Sequence, residues 1–129
     1  MSHTYRKAIP IPRRADIRFS HDGRIHISAR IARILGLRKG KSINIATQDR
    51  ECYLFAEDST IGRPQVHTYP TYTPRGSAPG GTWRASSVRL ARKVMALAGI
   101  SHGIVSLLCG EPMQIQGKTH IPLITKNPL

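Results

Sequence analysis

Apolar and polar residues alternate along two short stretches near the start of the chain. "ADIRF" places Ile17 and Phe19 on either side of Arg18, and "RIHIS" places two isoleucines on either side of His26. This period of two is typical of half-buried strands. The intervening "SHDG" contains the Asp-Gly pair that hairpin turns favour. The pattern therefore predicts a β-hairpin with Arg18 and His26 on its outer face.

At Ser28 the apolar spacing changes to three and four residues, which predicts a short helix. We expect Ser28 to be its N-cap and Gly36 to end it in the left-handed conformation. The apolar face comprises Ile31, Ile34 and Leu35, and the opposite face comprises Ala29, Arg30, Ala32 and Arg33. After a turn, "SINIA" and "ECYLFAE" predict two strands joined by "TQDR". The first unit thus reads strand, strand, helix, turn, strand, strand.

The segment "ARILGLRKGKSINI" has a degenerate copy in "RKVMALAGISHGIVSL". An offset of 63 residues places Gly36 on Gly99 and Gly40 on Gly103. It also aligns apolar positions: Val88 and Leu90 with Ile25 and Ile27, Val94 and Leu97 with Ile31 and Ile34, and Ile100 with Leu37. Ser28 falls on Ala91, so the second helix either lacks this cap or begins near Ser87. Two copies are expected if neither half can cover its apolar face alone.

These patterns divide the chain into four segments. Residues 1–14, with two prolines, predict an extended arm, and residues 15–59 form the first unit. Residues 60–82 are rich in Pro and Gly and predict a linker or loop. Residues 83–129 form the degenerate second unit, which ends in a hairpin made by "MQIQGK" and "THIPLIT". We expect both units to form one globular domain.

The charge balance indicates the class of partner. The 129-residue chain has 20 Lys and Arg against 7 Asp and Glu, a formal net charge of +13, and no acidic residue lies between Asp58 and Glu111. Such a balance suits a polyanion, because neutralised phosphates release their counterions. A basic surface without a dedicated partner is the alternative. An anionic membrane is disfavoured, because the sequence has no long basic amphipathic helix and no apolar window of about 20 residues.

Catalysis and cofactor binding find little support in the sequence. It contains no P-loop, no Gly-x-Ser-x-Gly elbow and no cluster with metal-ligand spacing. Cys52 and Cys109 are far apart and form no C-x-x-C motif, so we interpret them as buried residues of a reducing compartment. The start of the chain has no apolar stretch typical of a signal peptide. We therefore expect a cytoplasmic protein that is not an enzyme and has no cofactor or metal.

Residues 23–55, "GRIHISARIARILGLRKGKSINIATQDRECYLF", resemble the AbrB/MazE/SpoVT swapped-hairpin domain. The shared features are the Gly-Arg pair, the strand and short-helix periods, and Leu-Gly-Leu at matching spacing. Residues 86–108 show the same pattern more weakly. The resemblance implies a mainly β fold with short helices, in which the tandem units form a small pseudo-two-fold, swapped-hairpin (cradle-loop) barrel within one chain.

The resemblance also implies DNA binding, as in transition-state regulators and antitoxins. Arg24 matches the arginine of the Gly-Arg pair, Arg33 matches one just before Leu-Gly, and Arg18 matches an upstream strand arginine if this turn is one residue shorter. The proline that commonly follows the second strand is Ser28 here. In the second unit Ser86 and Ser87 replace Gly-Arg, and Ala96 replaces Arg33. The matching contacts are therefore lost there unless Arg89, Arg92 and Lys93 substitute for them.

The residues themselves support nucleic-acid contact independently of the resemblance. Arg18 and Arg24 lie on adjacent predicted strands, and Arg30 and Arg33 are three positions apart on one helix. A guanidinium group holds a phosphate or a guanine edge with two bonds. We expect duplex DNA to be the partner and the protein to be a transcriptional regulator or accessory factor. The alternatives are an RNA-binding protein using the tyrosine-bearing linker and a protein-interaction component, including a homodimer.

Overall fold

The computed structural model describes residues 15–38, 41–58, 67–69 and 82–129. The expected arm at 1–14 and most of the expected linker lie outside these residues. The described part of the chain forms the elements β1 (Ile17–Ser20), β2 (Arg24–Ile27), α1 (Ala29–Leu35), β3 (Lys41–Gln48), β4 (Glu51–Asp58), β5 (His67–Tyr69), β6 (Thr82–Ser86), α2 (Val88–Leu97), β7 (Ile104–Cys109), β8 (Met113–Ile115) and β9 (Lys118–Ile124). The prediction of a mainly β fold with short helices is confirmed.

The strands form one strongly curled, half-barrel antiparallel sheet. Their order is β3-β4-β9-β7-β1-β2-β6-β5, and β8 pairs with β9 off this path. Strand β7 changes partner along its length: residues 104–107 pair with β1, whereas Leu108 and Cys109 pair with β9. The first hairpin consequently lies between β7 and β6, both from the later part of the chain. The sheet is therefore built from strands of both parts of the chain.

The β1–β2 hairpin predicted from the sequence is confirmed, and its turn packs against the start of α2. Gly23 has φ +99°, and a Cβ atom added to it would lie 2.9 Å from both the Cγ2 and the backbone nitrogen of Val88. The Ser87 N–H donates to the Gly23 carbonyl at 2.9 Å. A positive φ and this close approach both require glycine here. The turn is thereby fixed against the second helix.

The core is almost entirely aliphatic and continuous between the sheet and both helices. Helix α2 packs on β1 and β2, whereas α1 packs on β6 and β9. The largest fully buried side chains are Phe19, Ile17, Ile25, Ile27, Ile31, Ile43, Leu54, Met95, Leu107, Ile121, Leu123 and Val94. They come from alternating strand positions and from one face of each helix, which is the arrangement that the hydrophobic pattern predicts. Neither helix in the described residues is long enough or apolar enough to cross a membrane.

The two helices end in the same hydrogen-bonded turn. In α1 the Gly36 N–H donates to the Arg33 carbonyl and the Leu37 N–H to the Ala32 carbonyl. In α2 the Gly99 N–H donates to the Ala96 carbonyl and the Ile100 N–H to the Met95 carbonyl, each 63 positions later. Both glycines are left-handed, with φ +71° and +76°. These are the Schellman-type ends that the glycine spacing predicts.

The two helices also begin with the same kind of N-cap, but the caps are 59 residues apart and not 63. Ser28 caps α1 by accepting the Ile31 N–H, and Ser87 caps α2 by accepting the Leu90 N–H. The caps are 59 residues apart, so α2 is longer than α1 by about one turn. Of the two expected starts for the second helix, the one near Ser87 is confirmed.

The extra turn of α2 overturns one alignment made from the sequence. Val88 and Leu90 lie in the first turn of α2 and not in a strand equivalent to β2. The strand that precedes this helix is β6, four residues earlier than a constant offset of 63 places it. The helix starts are 59 residues apart and the helix ends 63 residues apart, so a constant offset of 63 matches only the helix ends.

Two further expectations need correction. Ala32, assigned to the polar face of α1, is 2% exposed, because α1 packs against two strands and its buried arc includes residues 31, 32 and 35. The expected linker contains strand β5, which pairs with β6. This strand is at the end of the strand order, consistent with the exclusion of the proline-rich segment from a central position.

The two cysteines are buried and unbonded, as the sequence predicts. Cys52 on β4 and Cys109 on β7 both pair with Leu123 of the strand between them. They are therefore two strand spacings apart, about 10 Å, which exceeds the reach of a disulfide. Burial raises the pKa of the Cys52 thiol to about 11, although the charge of Lys93 opposes the increase.

Candidate nucleic-acid interface

Three basic side chains form a row across the outer face of the first hairpin and β6. Arg18 pairs with His26 across β1 and β2, and His26 pairs with Arg84 across β2 and β6. Residues directly opposite in neighbouring strands point to the same face of a sheet. The row spans two strand spacings, about 10 Å. It projects away from the core that Ile17, Phe19 and their partners fill.

Arg24 lies two positions from His26 on the same face of β2. Its Nε donates to the Asp22 carboxylate at 2.9 Å, and both side chains are more than half exposed. The Asp22 pKa is lowered, chiefly by this hydrogen bond. A shallow cavity of about 120 Å³ lies between Arg18, Arg24 and His26. The structure thus brings together the two hairpin arginines singled out in the sequence.

The pKa of His26 responds to the positive charges on this face. It is half-buried, and its pKa is lowered, first by burial and then by the charges of Arg84, Arg24 and Arg18. Each cation opposes the addition of another positive charge to the imidazole. The three arginines therefore lie close enough to His26 to disfavour its protonation, and an anion bound beside His26 would oppose that effect. We call Arg18, Arg24, His26 and Arg84 the basic sheet face.

The second group of predicted cations forms a stripe along α2. Arg89, Arg92 and Lys93 are exposed and recur at the three- and four-residue spacing of one helix side. The opposite side of α2 is buried through Leu90, Ala91, Val94 and Met95. The Arg92 Nε donates to the carbonyl of His21, the residue that follows β1, at 3.2 Å. This contact connects the α2 stripe to the hairpin turn beside the basic sheet face.

The α1 arginines have different surroundings. The Arg30 Nη2 donates to the Asp16 Oδ1 at 2.9 Å, and this hydrogen bond raises the pKa of Arg30 further. Asp16 is buried and also accepts the Cys109 N–H at 2.8 Å. Arg30 therefore joins α1 to the start of β1 and the end of β7. Arg33 is exposed in the last turn of α1.

Acidic residues are concentrated away from the basic sheet face. Four of the seven lie at the two ends of the β3–β4 hairpin, namely Asp49, Glu51, Glu57 and Asp58. Lys41 donates to Asp58 at 2.8 Å and partly neutralises one of these ends. On the basic sheet face the Asp22 carboxylate forms an ion pair with Arg24. The molecule is thus electrostatically polarised.

Arg84 is the member of the basic sheet face that sequence reasoning missed. The constant offset of 63 placed the second-unit strand after residue 86 and left Arg84 without an element. The polar-apolar alternation of "WRAS", with Ala85 buried and Arg84 exposed, is the signal that locates it on a strand. Starting the second helix at its Ser87 cap would have left residues 82–86 available as the preceding strand.

The described residues contain no group of three or more His, Cys, Asp or Glu side chains positioned to hold a metal ion. Comparisons with protein-family models, curated protein sequences and solved structures yield no match.

Proposed function

We propose that this protein binds duplex DNA through the basic sheet face and acts as a transcriptional regulator or accessory factor rather than as an enzyme. The observation that carries the proposal is the row of Arg18, His26 and Arg84 with Arg24 beside it. Four cationic or ionisable donors on one solvent-facing patch of about 10 Å suit a phosphate backbone. The concentration of acidic residues on another hairpin orients the molecule toward a polyanion.

The strand order supports the proposal that the chain is a swapped-hairpin barrel of two units. If β1, β2, β3 and β4 correspond to β5, β6, β7 and β9, the β1–β2 and β3–β4 pairs have counterparts in β5–β6 and β7–β9, and β8 is an addition to the second unit. The β2–β6 and β4–β9 pairs then lie between corresponding strands, which is the pairing that a pseudo-two-fold axis produces. The shared helix ends at Gly36 and Gly99 support the same correspondence.

In this arrangement both units contribute residues to the basic sheet face. The first unit supplies Arg18, Arg24 and His26, and the second supplies Arg84 through β6. The second unit lacks Gly-Arg, as noted from the sequence, but its strand arginine lies beside the hairpin of the first. The proposed surface is therefore one composite patch that straddles the β2–β6 junction, and not two equivalent patches.

Binding would combine two kinds of contact. Arginine guanidinium groups neutralise phosphates, which supplies affinity that decreases steeply with salt. One or two of them also reach base edges, where bidentate hydrogen bonds to guanine give sequence preference. The α2 stripe would form a second cationic surface and not an extension of the first, because α2 packs on the core side of β1 and β2. Arg33 adds a further phosphate contact, whereas Arg30 is held by Asp16 and acts mainly in the fold.

The test measures fluorescence anisotropy of a labelled random-sequence duplex over a range of salt concentrations. Arg18→Gln, Arg24→Gln and Arg84→Gln should each weaken binding and reduce the slope of log affinity against log salt by about 0.9. Arg50→Gln, which removes the same charge from the acidic β3–β4 hairpin, is the matched control and should leave the slope unchanged. Arg33→Glu tests whether α1 extends the surface.

The outcome also discriminates the alternatives. A single-stranded RNA of the same length and label is titrated in parallel. Stronger retention of RNA than of duplex would replace the proposal with RNA binding. Retention of neither would favour a protein-interaction role. Equal effects of the three face variants and of Arg50→Gln would show that binding depends on net charge alone and would overturn the assignment of the basic sheet face.

A further inference from the structure

A cavity of about 390 Å³ opens between three segments on the α2 side of the molecule. The hairpin turn contributes His21, helix α2 contributes Arg92, Met95 and Ala96, and the turn after α2 contributes Ile100 and Ser101. This volume lies in the range of small-molecule sites, which typically combine an apolar wall with a few polar groups. None of the residues that line it is acidic.

The wall of the cavity is apolar and held in place by the backbone. Met95 is 1% exposed and belongs to the main core. The Ile100 N–H donates to the Met95 carbonyl at 2.9 Å, which fixes the turn over the end of the helix. Ile100 itself is half-buried and packs against the core. A ligand in this cavity would therefore contact a preformed apolar surface.

The rim of the cavity is cationic and polar. The bond from the Arg92 Nε to the His21 carbonyl orients the guanidinium, and its terminal amino groups have no acceptor among the described residues. The His21 N–H donates to the Gly103 carbonyl at 2.9 Å, and the His21 and His102 rings lie 5.4 Å apart. Asp22, the acidic residue that follows His21 in the sequence, forms an ion pair with Arg24. Donors thus converge here without a competing carboxylate.

The corresponding positions of the two helix ends differ in a way that leaves this cavity open. At an offset of 63, Ala96 and Ser101 correspond to Arg33 and Arg38 of the first helix end. Small side chains occupy the second end where long charged ones occupy the first. The cavity is therefore a property of this sequence and not a necessary consequence of the turn geometry.

We propose that this cavity is a binding site for a small organic anion. An oxyanion head, either a carboxylate or a phosphate monoester, accepts hydrogen bonds from the terminal amino groups of Arg92 and from His21 or Ser101. An apolar body of the ligand lies on the half-buried Ile100 and the exposed Ala96. This site goes beyond duplex binding and requires no nucleic acid, so its test is independent of the proposed function.

The test follows the imidazole proton resonances of His21 and His102 in the full chain during titration with benzoate and, separately, phenyl phosphate. Benzyl alcohol and inorganic phosphate supply the apolar body and the charge alone. We expect saturable shifts with at least one of the two organic anions, at concentrations where neither control produces them. The organic anion that binds more tightly, benzoate or phenyl phosphate, identifies the preferred head group. Absence of saturable shifts with both organic anions would overturn the site.

Variants connect the binding to this cavity. Arg92→Gln should weaken the organic anion at least tenfold, because a charge-assisted, two-pronged contact is lost. Arg89→Gln removes the same charge from the same helix outside the cavity and should change affinity less than twofold. Ala96→Leu, at an exposed position, should fill the cavity and also weaken binding at least tenfold. Equal losses in Arg92→Gln and Arg89→Gln, or full binding by Ala96→Leu with native circular dichroism, would refute the assignment.

Discussion

Replacing Asp16 tests how the start of the first strand is held to the rest of the fold. Its carboxylate accepts from Arg30 at 2.9 Å and from the backbone N–H of Cys109 at 2.8 Å, and its side chain is only 7% exposed. It joins β1 to α1 and to β7, which lies about 90 residues further along the chain. Asp16→Ala would leave the Cys109 N–H buried without its acceptor and Arg30 without its partner.

The expected cost follows from the burial of each group. An unsatisfied buried N–H costs about 1–3 kcal/mol, and a hydrogen bond to a charged group contributes at the upper part of that range. The Arg30 side chain is 48% exposed, so the ion pair itself adds roughly 1 kcal/mol or less. Asp16→Ala should therefore lower the free energy of unfolding by about 3 kcal/mol, a large part of the 5–15 kcal/mol typical of domains.

Two intermediate variants separate these contributions. Asp16→Asn retains an oxygen for the Cys109 N–H but loses the charge, so we expect a loss of about 1–2 kcal/mol. Arg30→Ala removes only the half-exposed partner, which water can replace, and should cost about 1 kcal/mol. The order of stability should therefore be wild type, then Arg30→Ala and Asp16→Asn, then Asp16→Ala. Urea unfolding followed by circular dichroism provides the midpoints.

Asp22→Ala is the matched control. Asp22 and Arg24 form an ion pair with the same N–O distance of 2.9 Å, but both side chains are more than half exposed. Asp22→Ala, which removes this ion pair, should leave the urea midpoint unchanged within error, because solvent screens such pairs. Equal midpoints for Asp16→Ala and Asp22→Ala, or an Arg30→Ala loss as large as that of Asp16→Ala, would refute the argument from burial.

Two further predictions concern the turns and the histidine of the basic sheet face. Asp49 and Arg50 join β3 to β4 with φ of +50° and +67°, so Arg50→Gly should raise the free energy of unfolding by about 0.5–1 kcal/mol, because glycine adopts this conformation without strain. Gly117→Ala, at the corresponding β8–β9 turn position with φ +79°, should lower it by about 1 kcal/mol; a change of the same sign in both urea midpoints would contradict this reasoning. The lowered pKa of His26 means that the unfolded chain, with a histidine pKa near 6.5, binds the proton more tightly. The contribution of neutral His26 to the free energy of unfolding is therefore complete above about pH 6.5, and it is lost as the pH falls below that value. His26→Gln should flatten the decrease in the urea midpoint between about pH 7 and pH 5.5, and an unchanged slope would show that His26 does not contribute.

Local patterns predicted most of the elements of this fold. The period-two stretches around Arg18 and His26 gave the first hairpin, and the Asp-Gly pair gave its turn. The serine caps and left-handed glycines gave the helix ends, because these depend on residues within one or two turns of each other. The error at Val88 and Leu90 arose because a constant offset of 63 ignores the extra turn of α2. The same error hid Arg84.

The arrangement of the elements required contacts between distant parts of the chain. Strand β7 joins β1 for four residues and β9 for two, and no local signal in "IVSLLC" specifies that change of partner. Likewise, the sequence alone predicts that Arg30 is a surface cation, and only the tertiary structure places the buried carboxylate of Asp16 beside it. Strand pairing and carboxylate burial are set by which apolar faces close against each other over the whole molecule. The chain's own periodicities thus specify strands, helices and turns. The neighbours of Arg84, Arg30 and Arg92 follow from the tertiary fold, because His26, Asp16 and His21 lie 58, 14 and 71 positions away from them in the sequence.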